Sequence, residues 1–100
     1  METNQVVISG VVIEVDAQRT SPGGIAHKRF VLQHRSRQVE AGQPREVFCR
    51  LPVELRGKLV GVVAIDVNDR VEVQGFLARA SYKDDSGMKL ILHATNLLKV

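Results

Sequence analysis

Tryptophan is missing from this 100-residue sequence, aromatic residues reach only 4%, and there is a single cysteine. So few rings leave the core to aliphatic side chains, which a 44% hydrophobic content can supply for one small domain, residues 1–100. The lone Cys49 makes no internal disulfide, in keeping with a reducing compartment. Nothing approaches the run of about 18 apolar residues that crosses a bilayer; the longest apolar run is "VVAI", residues 62–65. The N-terminal "METNQVVISG" lacks a basic stretch ahead of an apolar one, so no secretory leader is read there. The expectation is a cytoplasmic protein with no membrane role.

Catalytic chemistry is equally scarce. There is no phosphate loop or dinucleotide fingerprint, and "GKLVG" has the wrong glycine spacing for either. One cysteine and three scattered histidines (His27, His34, His93) do not supply a metal-ligand cluster. Cys49 lies in an alternating apolar segment, where cysteine packs as a small hydrophobe. No enzyme activity, cofactor or metal is expected.

What is present is positive charge, unevenly placed. The net charge is +3. Residues 19–58 carry nine basic side chains against three acidic ones, and the rest of the chain carries five against eight. A basic middle fits either a polyanion partner or a solvated basic face. The stretch "SPGGIAHKRFVLQHRS", residues 21–36, sets a glycine turn before a segment with Lys28 and Arg29 at one end and Arg35 and Arg37 at the other.

Strand signals dominate. Residues 5–15 are rich in valine and isoleucine and apolar on both faces apart from Ser9 and Glu14, so the first strand is expected to be covered on both sides for much of its length. Its Gly10 permits a bend or a close backbone approach. Residues 16–27 read as a loop turning at Pro22-Gly23-Gly24, and residues 28–36 as the second strand. Polar residues 37–45, with Gly42 and Pro44, read as a loop; residues 46–53 form the third strand, whose regular pairing Pro52 is expected to end. Gly57 and Gly61 argue for no more than a short helix or turn within residues 54–68. Residues 69–80 and 88–100 give the fourth and fifth strands around a hairpin loop, 81–87. Five strands, a glycine-bent first strand and an irregular third connection match the all-β, five-stranded Greek-key barrel of the oligonucleotide/oligosaccharide-binding (OB) fold, with an SH3-like barrel as the alternative.

Single-strand binders of this fold need a basic groove for phosphates and aromatic faces for bases. Arg37 and Arg50 contribute to the basic half, together with Arg35. Among the four aromatics, Phe30 and Phe76 sit beside core-type residues and are read as core. Phe48 is either core or a stacking platform. Its alternation with Glu46 and Arg50, against Val47, Cys49 and Leu51, favours the polar face. Tyr82, in a loop beside Lys83, suggests base stacking.

Over nearly the whole chain, the order of "SPGGIAH", "FVLQHRS", "VEAG", "CRLPV", "VEVQGFLA" and "LILHA" resembles the primosomal replication protein N (PriB) family. The sequence closes on "NLLKV", without the long acidic tail of bacterial single-stranded-DNA-binding proteins, to which that family is related. The resemblance implies a homodimeric OB barrel that binds single-stranded DNA and partners the helicase of replication restart. By position it implies DNA contacts from Arg19, Arg35, Lys83 and Lys89 and stacking by Phe48. Two departures, Gln43 in place of a second aromatic and the acidic pair Asp84-Asp85, imply weaker DNA binding and more reliance on the protein partner. An RNA-binding barrel and a protein-interaction adaptor remain as alternative functions.

Overall fold

In the computed structural model, which describes Met1–Val100, β1 (Val6–Val15) is the strand that changes neighbours. Its first half pairs antiparallel with β5 (Arg70–Arg79), Val6 opposite Gly75. Its second half pairs with β3 (Ala26–Glu40), Val15 opposite Phe30, with a register shift between Val12 and Glu14. The handover lies at Gly10, where a Cβ would run into the Gln33 carbonyl, so only glycine permits the crossing. β1 is not covered on both sides: Val12 is fully buried, but Val7 is 65% exposed.

β3 and β4 (Gln43–Arg56) pair without interruption from His27–Arg56 to Glu40–Gln43. Two residues, Ala41 and Gly42, join them, both with positive φ (53° and 76°), as a tight primed turn requires. Residues 37–45 are therefore a β-hairpin and not the expected loop. Beyond the barrel this ribbon has no buried face, so its sequence shows no apolar alternation. Pro52 does not end the pairing either; it stands opposite Val31 with the register intact on both sides. Alternate residues of an antiparallel pair donate to a given neighbour, so a proline at a non-donating position leaves the ladder whole.

The Pro22-Gly23-Gly24 turn is flanked by a two-residue strand, β2 (Arg19–Thr20), paired with Ala26 and His27. It is fastened by the Ile25 N–H donating to Ser21 Oγ at 3.1 Å. After β4 a single helical turn, α1 (Leu59–Val62), and buried Ile65 close one end of the barrel. β5 pairs antiparallel with β6 (Leu90–Lys99), and β6 runs parallel to β4 at Val53–Leu92 and Glu54–His93. The ring β1–β5–β6–β4–β3 then returns to β1, giving the closed five-stranded OB barrel. No helix is long and apolar enough to cross a membrane.

Phe30 is the only ring in the core, which otherwise holds Val12, Leu32, Val53, Leu55, Ile65, Val71, Val73, Leu92 and Leu97. Each such side chain stabilises the fold by about 1.5–3 kcal/mol on burial. Phe76 is not among them; it is 41% exposed. The alternation of β5 places it with Glu72 and Gln74, opposite Val71 and Val73, and the barrel follows that alternation.

Candidate nucleic-acid interface

Residues directly opposite each other in an antiparallel pair project from the same face. On the outer face of β3–β4 this rule brings Arg35 level with Phe48, Gln33 level with Arg50, and Arg37 level with Glu46. Phe48 is half exposed, while Val47, Cys49 and Leu51 turn inward. The Arg35 guanidinium carbon stands 4.8 Å from the Phe48 ring centroid and that of Arg50 stands 5.7 Å away. Such cation–π contacts are worth about 0.5–1 kcal/mol at an exposed site. Arg50 also donates through Nε to Gln33 Oε1 at 3.2 Å. Neither arginine is ion-paired, so a half-open ring is held between two uncompensated positive charges.

The ribbon above this site carries arginines already matched. Arg37 Nη2 lies 2.7 Å from Glu46 Oε1, and Arg45 Nη1 lies 2.8 Å from Glu40 Oε2. Arg37 thus shares a face with Arg35, but its charge is neutralised by a residue that the hairpin register brings opposite. Exposed Gln43 is the last rung before the turn.

The loop between β5 and β6 holds Tyr82, Lys83 and Lys89, all exposed. Asp84 organises it: Oδ1 accepts from Ser86 Oγ at 2.6 Å and Oδ2 accepts from the Lys89 N–H at 3.0 Å. These bonds, Ser86 first, hold the Asp84 carboxyl below its usual range. One charge of the acidic pair therefore serves the loop's own backbone. The Ala80 N–H donates to the Lys89 carbonyl at 2.7 Å, which fixes Lys89 just ahead of β6. Arg19 is also exposed, but it lies at the far end of β3, on a recess of about 270 Å³ that it shares with His27, Arg29 and Glu54. Arg19 and Phe48 therefore do not form one compact cluster.

A second row crosses the same face and was not singled out in the sequence: Arg29 of β3, Glu54 of β4, His93 of β6 and Phe76 of β5. Glu54 is 4% exposed. It accepts from Arg29 Nε at 3.0 Å and from Arg56 Nε at 2.6 Å, and His93 Nδ1 lies 3.5 Å away. Burial alone would raise its pKa, but the two guanidinium groups outweigh burial and lower it, so the carboxylate stays ionised. His93 is held below its ordinary range mainly by burial, with Glu54 opposing and the arginines assisting. Its neutral ring stacks on Phe76 with centroids 5.2 Å apart and planes 9° from parallel. The one sequence signal for this row was the polar-side phase of Phe76. No group of three or more His, Cys, Asp or Glu side chains is placed to hold a metal.

A family model described as "Another single-strand binding protein family" matches residues 4–96. The replication restart protein PriB of Photorhabdus laumondii is 43% identical over 97% of this chain and 93% of its own length. That of Erwinia tasmaniensis is 41% identical with the same coverage. Among solved structures, PriB from Ralstonia solanacearum has a TM-score of 0.85 at 23% identity, covering 98% of both chains, which is a likeness of fold.

Proposed function

Because the chain belongs to the PriB family of replication restart proteins, and to the single-strand binding family whose model it matches, we propose that it binds single-stranded DNA along the outer face of β3 and β4. The observation that carries this reading is the Phe48 ring, half exposed between the unpaired charges of Arg35 and Arg50. A base stacks on the ring while the guanidinium groups meet flanking phosphates. Lys89, exposed just ahead of β6, extends the phosphate track toward Lys83 and Tyr82, and Arg19 receives the strand at the far end. Arg37, already paired, contributes least.

In this reading the protein is one cytoplasmic domain that acts by binding and not by catalysis. It works as a homodimer and hands DNA to the restart helicase. The dimer is supported by β1, whose residues 6–10 have a neighbour on the β5 side only and leave Val7 exposed. An open, valine-rich edge is suited to pairing with a second copy.

Fluorescence anisotropy with single-stranded DNA, single-stranded RNA and duplex at several salt concentrations tests the assignment. Preference for single-stranded DNA supports it. Equal or tighter binding of RNA makes this an RNA-binding barrel, and no binding to any of the three makes it an adaptor. Light scattering at micromolar protein is expected to give twice the 11.1 kDa chain mass; a one-chain mass rules the dimer out.

A further inference from the structure

We propose that the Phe76–His93 pair, with Arg29 and Arg56, is a second base-stacking site for the same DNA strand; this rests on the single-stranded DNA reading above. The two sites share one face. Along β4 the row of Glu54 stands six residues from Phe48, or about 20 Å at about 3.3 Å per residue. Oligonucleotide footprints of about 4–16 nucleotides per OB fold leave room for both.

The surface between the sites suits a strand laid across it. The intervening row is apolar: Val31, Pro52 and Ala78 are half-buried and present the surface, and Ile91 beside them is buried. Glu54 is the one carboxylate on the path, and it lies beneath Arg29 and Arg56. Two guanidinium charges against one carboxylate leave the row net positive. Each arginine bonds Glu54 through Nε alone, so its Nη groups have no protein partner and are available to phosphate oxygens.

The Phe76 ring is also held in place. His93 backs it at 5.2 Å, Glu54 stands beside His93, and the arginines fix Glu54. An exposed phenylalanine supported by a stacked imidazole is a ready platform for a base, whose π-face stacks on any aromatic ring.

The test compares Phe76→Leu with the parent by anisotropy, using thymidine oligonucleotides of about 15 and about 4 nucleotides, lengths near the two ends of OB-fold site sizes. Leucine keeps the apolar bulk and removes the ring. The ratio of long-oligonucleotide to short-oligonucleotide affinity is expected to fall by roughly five- to 150-fold, the equivalent of one lost stacking contact. An unchanged ratio overturns the second site. Equal weakening of both lengths together with a lower melting temperature also overturns it, because Phe76 is then structural. If Phe48→Ala weakens both lengths and Phe76→Leu alters neither, the DNA-binding function stands and only the second site falls. A parent protein that binds neither length removes both.

Discussion

Arg35 faces Phe48 across the β3–β4 register, its guanidinium carbon 4.8 Å from the ring centroid, while Phe30 on the same strand as Arg35 points inward and is 2% exposed. Two phenylalanines on neighbouring strands therefore have opposite tasks. Phe48→Ala is expected to cost no more than about 1–2 kcal/mol of folding stability, the loss of its two exposed cation–π contacts. It should weaken single-stranded DNA binding by about 1–3 kcal/mol. Phe30→Ala should instead cost about 3–5 kcal/mol of stability. Thermal melting and anisotropy on the two variants check both expectations.

Arg35 and Arg37 are two residues apart on one face, but only Arg37 has a carboxylate partner. Each phosphate contact on a single strand contributes about −0.7 to the slope of log affinity against log salt. Arg35→Ala is expected to flatten that slope by about this amount, as is Lys89→Ala, while Arg37→Ala should change it much less. Equilibrium titrations over a range of salt concentrations read the slopes directly.

Gly10 and Gly75 each lie against a neighbouring strand's backbone, at Gln33 and at His93, whereas Gly61 in α1 has open space around its Cα. Gly10→Ala and Gly75→Ala are expected to destabilise by about 1–3 kcal/mol or more, because backbone must move to admit the methyl group. Gly61→Ala should be neutral or stabilise by up to about 1 kcal/mol. Denaturant unfolding of the three variants separates the cases.

Acid should weaken the fold in two steps. His93 has a folded pKa below its ordinary 6.5, so its contribution is present above that pH and is lost as the pH falls through the lower folded value. Glu54 is lowered from 4.5 and behaves in the same sense at more acid pH. Glu54→Gln is expected to cost about 1–3 kcal/mol at neutral pH, since charge-assisted bonds to Arg29 and Arg56 are lost. It should also flatten the more acidic step. Melting temperature against pH for parent and variant checks this.

The strands, the short helix and the phase of Phe48 were legible because a half-buried strand writes its two faces into alternate residues. The distal ribbon was not, because residues 37–45 have no buried side and their polar composition mimics a loop. Pro52 misled for a related reason: sequence shows the missing N–H, but not whether that position would have donated to a neighbour. Phe76 was read as core from its chemistry although its phase said otherwise. The pairing of Arg37 with Glu46 and the Arg29–Glu54–His93–Phe76 row arise from register across strands distant in the chain, which local pattern does not encode.

The handover at Gly10 also sets the order in which a new chain can finish. As the protein leaves the ribosome, the second half of β1 can pair with β3 early, but the partner of its first half is β5, with Val6 waiting for Gly75. Until then the valine- and isoleucine-rich half of β1 has no neighbour on either side, and the barrel cannot close. Non-local pairing of this kind is slow to form, and unpaired strand edges associate with one another in the interval. Aggregation during synthesis is therefore expected to depend on how long β1 stands open.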